Sequence, residues 1–256
     1  MPKMHTSLKR MLPRSLVRKL LLVKYRGSAY ACPCCHYQAR QFWPSGVNQK
    51  PNTLCPSCGS LERHRLLWLF FQRHPELLRR SQRILHVAPE RQIEQLLRSI
   101  PEVKYLSAGL ESPPAEVCMD LTNTGMQDKS FDGIVCCHVL EHIPNDGAAL
   151  RELYRILAPG GWAILQVPVD YARQTTYEDP NIISPGDRLR EFGQEDHVRV
   201  YGRDYEDRLR NAGFRVDVHW LQETLGADQI DYYRLDPEER IFLCWKTAEG
   251  ERLNRP

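Results

Sequence analysis

The chain has 256 residues, 42% hydrophobic and 26% charged, a mix that supports a packed core and excludes disordered, collagen-like and coiled-coil classes. No uncharged apolar run approaches the ~20 residues that span a bilayer, and the first residues show no secretory pattern, so the nine cysteines point to a reducing, cytoplasmic setting where clustered thiols hold metal. The net charge of +3 conceals an asymmetry: residues 1–61 hold ten of the 35 basic side chains and none of the 32 acidic ones.

Residues 1–26 read as a basic amphipathic helix, with Leu8, Met11, Leu12, Leu16, Leu20 and Val23 near helical spacing and Pro13 as a break. Such a helix packs on the body of the protein, or meets RNA or an anionic membrane surface. Residues 27–66 carry two knuckles, Cys32-Pro33-Cys34-Cys35 and Cys55-Pro56-Ser57-Cys58, nineteen residues apart. This is the spacing of a four-cysteine zinc ribbon, because a two-residue spacer lets both thiolates of a knuckle reach one tetrahedral ion. Cys32, Cys35, Cys55 and Cys58 are the expected ligands, with Cys34 as a rival, and four thiolates make the site structural. A helical run from Leu61 to about Leu78 follows, and residues 67–82 serve as a connecting helix.

From Arg83 to the end the pattern alternates. Strands are expected at 83–88, 103–108, 115–119, 131–137, 161–168, 214–220 and 239–246, and helices near 90–99, 146–157 and 203–212, with Gly160-Gly161 closing the second. The expected fold is therefore α/β, a doubly wound seven-stranded Rossmann-like sheet behind a small zinc ribbon. Its ligands belong at the carboxyl ends of the strands.

The run Phe131-Asp132-Gly133-Ile134, continuing through Val139-Leu140-Glu141-His142-Ile143, precedes Arg155-Ile156-Leu157-Ala158-Pro159-Gly160-Gly161. Together these blocks resemble the class I S-adenosylmethionine-dependent methyltransferases of the type whose fourth strand runs into V-L-E-H-I. A narrower likeness is to zinc-ribbon-bearing members, through Cys55 to Arg65, Leu85 to Glu90 and Phe192 to Gly202. The resemblance implies a cytoplasmic methyltransferase of 83–256 that binds S-adenosylmethionine through His86, Ala88, Glu90, Gly109, Leu110, Glu111, Asp120, Leu121, Cys137 and His138. Two departures stand out. The usual first-strand D-x-G-x-G is here His86, Ala88 and Glu90, read as an alternative cofactor loop, and Gly109-Leu110-Glu111 occupies the place of the ribose-binding acid.

The methyl acceptor is open between RNA and a small-molecule or glycan intermediate, with the insert 169–200 as a lid over the pocket. The rival class is a catalytically inactive methyltransferase-fold module that docks nucleic acid or protein. Proton-accepting candidates are His138 at the sheet edge and His197, Asp196 or Asp179 in the insert. His197 is expected to face the transferred methyl group, with Arg199 or Tyr201 orienting the acceptor. His138, Glu141 and His142 stand at i, i+3 and i+4, a set that suits a second divalent metal, and His197 could add a ligand. Their spacing looks like the E-x-x-E-H metal motif of ubiquinone-pathway O-methyltransferases and plant small-RNA 2′-O-methyltransferases. The alternative is a role in capping a helix and fixing the loop.

Overall fold

The computed structural model describes residues 13–248 apart from Val47 and Ser112; residues 1–12, the first half of the expected basic helix, lie outside the described residues. The chain forms two compact units, residues 1–72 with 221–238, and residues 73–220 with 239–256.

In the first unit, α1 (Arg14–Tyr25) starts directly after Pro13, whose carbonyl accepts from Leu16 and Val17. Proline is tolerated there because the first helical amides need no partner within the helix. The helix leaves Leu16, Leu20 and Val23 exposed. Strands β1 (Arg26–Ala31) and β2 (Gln38–Ala39) pair antiparallel, as do β3 (Trp43–Ser45) and β4 (Lys50–Leu54). One cysteine knuckle follows β1 and the other follows β4. Each closes by the same turn, with His36 N donating to Cys32 O at 2.8 Å and Gly59 N to Cys55 O at 3.0 Å. His36 (φ 58°) and Gly59 (φ 75°) then take the same left-handed conformation, so the two halves repeat one local geometry. Helix α2 (Glu62–Arg73) follows.

The single helix expected from 61 to 78 is two, α2 and α3 (Pro75–Arg80), because Pro75 cannot donate to the preceding turn and disfavours helical geometry at His74. The second unit continues with β5 (Arg83–Val87), α4 (Arg91–Arg98), β6 (Lys104–Gly109), β7 (Val117–Cys118), β8 (Phe131–Cys137), α5 (Asp146–Ile156) and β9 (Leu157–Gln166). Then come β10 (Tyr177–Glu178), α6 (Pro185–Phe192), β11 (Arg199–Val200), α7 (Tyr205–Asn211) and β12 (Arg215–His219). A helix that no sequence pattern announced, α8 (Gln222–Tyr232), returns to the first unit before β13 (Ile241–Trp245) completes the sheet.

The seven strands run in the order β12-β13-β9-β8-β5-β6-β7, and β13 alone is antiparallel to its neighbours. The order reverses between β5 and β8, the place where open α/β sheets bind ligands. Behind it lies a core that includes Leu85, Ile134, Leu150, Leu153 and Leu165, none of these five more than 1% exposed. Gly160-Gly161 does not end the helix, as expected, but lies inside β9. Gly160 N donates to Lys246 O and Lys246 N to Gly161 O, so the pair forms an irregularity in the strand rather than a helix cap. A Cβ at Gly161 would come 2.9 Å from the carbonyl oxygen of Asp132, which only glycine avoids.

Candidate functional site

A cleft of about 720 Å³ opens at this switch point. Its walls are built from the residue after each strand: Val87-Ala88-Pro89 from β5, Gly109-Leu110-Glu111 from β6, Met119-Asp120-Leu121 after β7, and His138-Val139 from β8, with His142, Ile143 and Asp196 at the far side. Of the residues expected to hold the cofactor, Ala88, Gly109, Leu110, Glu111, Asp120, Leu121 and His138 line it. His86, Glu90 and Cys137 do not, and the structure shows another task for the first two.

His86 is fully buried, with Nε2 bonded to Glu90 Oε2 at 2.8 Å and Nδ1 to the Tyr105 hydroxyl at 3.0 Å. The pair bridges both ends of the loop between β5 and α4 and holds its backbone against the cleft. Between them Ala88 adopts φ 48°, and its N–H donates to Ala108 O at 2.8 Å. Left-handed backbone is the service glycine usually performs in such a loop, so the turn survives here with a methyl group on it. At Gly109 a Cβ would stand 3.3 Å from that of Ala115, a close approach that explains glycine at the strand end. Asp120 uses Oδ1 to accept from Thr122 N and Oγ1, both at 2.8 Å, and the Thr122 N–H holds its carboxyl below the usual range.

His138 also sits in the left-handed region, at φ 55°, with its N–H donating to Gln166 O. Its Nδ1 is 3.4 Å from Glu141 Oε1 and its Nε2 is 3.6 Å from Glu239 Oε1. Burial disfavours the charged imidazole, but the two carboxylates outweigh it and raise its pKa to about 9.

The insert is fastened to the turn after β8. Val198 N donates to Glu141 O at 2.9 Å. The Arg199 guanidinium donates to the carbonyls of Leu140, Ile143 and Pro144, and to Glu178. Tyr201, fully buried, donates to Asp146 at 2.8 Å, and burial together with that carboxylate pushes its hydroxyl pKa up. Arg199 and Tyr201 were expected to orient the acceptor; both are instead buried and committed to holding the insert in place. Asp196 lines the cleft, whereas His197, only 6% exposed, lies behind that wall, and burial lowers its pKa. Asp179 is engaged with Asn181 N and Nδ2 in its own turn. Glu141, His142 and His197 bring one ligand atom each to within 4.8 Å of one another.

In the first unit, Cys32, Cys35, Cys55 and Cys58 bring their sulfurs together, with Sγ–Sγ distances of 3.6 Å (Cys32–Cys58) and 3.8 Å (Cys35–Cys55). A tetrahedron of ~2.3 Å zinc–sulfur bonds has edges of ~3.8 Å, so the four residues fit that ion. Cys34 turns away, its thiol toward His64 O at 3.9 Å. Arg65, wholly buried beside the cluster, is stacked 4.9 Å over Phe42 and donates to the carbonyls of Thr53, Ser60, Tyr233 and Arg234. It sets a positive charge beside thiols that would be anionic around a metal.

Residues 79–165 match the Methyltransferase domain family. Among solved structures, the chain resembles a protein from Galdieria sulphuraria described as a sarcosine dimethylglycine methyltransferase, at 12% identity over 74% of this chain and 87% of that one, with a TM-score of 0.50. It also resembles the 1,6-didemethyltoxoflavin-N1-methyltransferase of Burkholderia thailandensis (16% identity, 72% and 78% covered, TM-score 0.49). A SAM-dependent methyltransferase from Archaeoglobus fulgidus matches at 13% identity, 71% and 93% covered, with a TM-score of 0.47. At such identities the likeness is one of fold. The family match over residues 79–165, together with the sheet order, supports a methyltransferase domain of the class I, S-adenosylmethionine-dependent type, and the preceding four-cysteine cluster fits a zinc ribbon.

Proposed function

We propose that the chain transfers the methyl group of S-adenosylmethionine to an acceptor at the β8 side of the cleft. The observation that carries this reading is the cleft itself, which gathers the expected residues of β5, β6, β7 and β8 at the sheet's switch point. When bound, the cofactor supplies an activated sulfonium methyl, so what is asked of the protein is alignment and the handling of one proton. Ala88 and Gly109 let the backbone come close to the ligand, and Glu111 and Asp120 offer carboxylate oxygens to its hydroxyl and amino groups. His138 orients the acceptor, and Asp196, also on the cleft wall, takes its proton. The test is calorimetric titration with S-adenosylmethionine. The wild type should bind, and Asp120→Ala should bind at least about fivefold more weakly, as the loss of a hydrogen bond to a charged group implies. Undetectable binding by the wild type at millimolar cofactor refutes the reading. Transfer of labelled methyl into RNA or into a small-molecule extract then separates the acceptor classes.

We further propose that the four cysteines hold one structural zinc ion. The closed donor set leaves no position for a substrate. Elemental analysis should find about one zinc per chain, lost in Cys55→Ser; protein purified without oxidation and free of metal overturns this.

A further inference from the structure

We propose that a second cavity, at the ends of β9, β12 and β13, binds the oxyanion group of the methyl acceptor through Arg240 and Arg203, and that the acceptor is a small organic carboxylate or phosphate monoester. The acceptor's identity rests on the methyltransferase reading, whereas the anion site stands on its own geometry. The cavity holds about 380 Å³, enough for a small ligand. Its apolar walls come from Val169 after β9, Val218 at the end of β12, Phe242 at the start of β13, and Tyr205.

Arg240 is held in place, yet its hydrogen-bonding groups are unused. The guanidinium carbon lies 4.1 Å from the centroid of the Tyr171 ring and 5.0 Å from that of Trp220. Such stacking fixes the charge but satisfies none of the five N–H donors. Nε is buried without a hydrogen-bond partner, and among the described residues no carboxylate stands within ion-pair distance of this side chain. Arg203 lines the same cavity, spends Nε on Tyr171 O at 2.7 Å and likewise makes no ion pair among the described residues. Glu206, the acid among the lining residues, is drawn off by Arg210 at 3.1 Å. By contrast, Arg199 and Arg208 in the same unit are matched by Glu178 and Asp146. Two unmatched guanidinium groups on one cavity call for an anion, and the planar fork of arginine takes a carboxylate or a phosphate in paired hydrogen bonds.

The position of the cavity ties it to the acceptor. β13 lies two strands from β8, ~10 Å at the spacing of a sheet, so the anion would sit about one small molecule's length from the cleft. Glu239, directly before Arg240, forms the seam between them: it accepts from Gln166 Nε2 at 2.6 Å and lies 3.6 Å from His138 Nε2. His138 and Glu239 each keep about a fifth of their side chain exposed, so an acceptor can lie over this seam with its anion at Arg240 and its reacting atom beside His138.

Phenyl phosphate and benzoate are the probes, titrated calorimetrically into the full chain with its cysteine-bound metal retained, with and without saturating S-adenosylmethionine. At least one should bind at one site per chain in both conditions, neutral phenol should not, and the tighter of the two names the oxyanion. Arg240→Met should weaken that binding at least about tenfold, as the loss of charge-assisted hydrogen bonds implies, while keeping wild-type affinity for S-adenosylmethionine. In the arginine Nε–H spectrum of the wild type, the Arg240 resonance should shift with the probe before that of Arg83, a readout that survives even if the variant fails to fold. No binding of either anion, equal binding by Arg240→Met, or displacement of the anion by S-adenosylmethionine overturns the site. Anion binding by a chain that does not bind S-adenosylmethionine refutes the methyltransferase reading and with it the acceptor's place here; cofactor binding without anion binding refutes the site alone.

Discussion

Replacing Arg199 by Met keeps most of the side-chain volume and removes the guanidinium. In the wild type Nη1 donates to Leu140 O at 2.9 Å and Ile143 O at 2.6 Å, Nη2 to Pro144 O at 2.8 Å, and Nε to Glu178 at 2.8 Å. Arg199 is 2% exposed, so water cannot replace these partners without the insert lifting. Removing one member of a buried charged pair costs ~3–5 kcal/mol. Glu178 limits the damage, since it keeps Arg208 at 2.7 Å. The carbonyls of Ile143 and Pro144, which lose this donor, press the other way at ~1 kcal/mol or more each, whereas Leu140 O keeps Ile143 N and the Tyr201 hydroxyl. The expected loss is about 4 kcal/mol, a large share of the ~5–15 kcal/mol that holds a domain together. Urea unfolding followed by circular dichroism measures it. Zinc content should not change, because the cysteine cluster belongs to the first unit and Arg199 to the second. A loss below ~1 kcal/mol would show that the insert does not depend on this clamp.

Two further outcomes follow from the loop geometry and from one ion pair. At position 88, Gly should match or exceed the stability of Ala by up to ~1 kcal/mol and keep cofactor binding, while Val should cost ~1–2 kcal/mol and weaken it, because φ 48° suits glycine and opposes a β-branched side chain. Calorimetry on both variants decides, and a Val variant as stable as wild type refutes the strained turn. Arg155 grips Glu152 through both carboxylate oxygens, and with Thr124 it lowers the Glu152 pKa to about 2. A depressed carboxyl stabilises the fold above its unfolded value of ~4.3 and loses that contribution as pH falls through about 2. With a partly solvated partner the contribution is ~1–2 kcal/mol, so wild type and Glu152→Gln should differ by that amount at pH 7 and converge only as the pH falls below about 2. A gap that persists there contradicts the assignment.

The sheet was legible because its strands are buried runs of Ile, Leu, Val and Cys between turn residues. The expected 131–137 matches β8 in full, the expected 83–88 runs one residue past the end of β5, and the expected 103–108 is offset from β6 by one residue at both ends. What failed was punctuation. Gly160-Gly161 carries the composition of a helix stop, yet its role is set by the backbone of Lys246, a strand that closes beside it from far along the chain. Helix α8 escaped because Gly226, at φ 72° and ψ 160°, interrupts it and its apolar residues form no stripe.

The site was legible wherever function depends on backbone at a strand end, since strand position alone brings residues 88, 109–111, 120–121 and 138 to one edge. It was not legible where polar side chains in one short block divide their tasks. Phe192 to Gly202 looks from its composition like a set of reactive groups, and spacing alone cannot tell a ligand from a fastener. Burial and partners divide the block in two: Arg199 and Tyr201 spend their donors on the turn after β8 and on Asp146. Asp196 and His197, one step earlier in the chain, are thereby delivered to His142 and Glu141. The same division governs the first-strand loop, where the His86–Glu90 pair holds the turn and Ala88 faces the cleft. In both places the charged residues that draw attention in the sequence do the fastening. The residues beside them, Ala88 and Asp196, are the ones on the cleft wall, so a search for catalytic groups here must begin from that wall rather than from the richest motif.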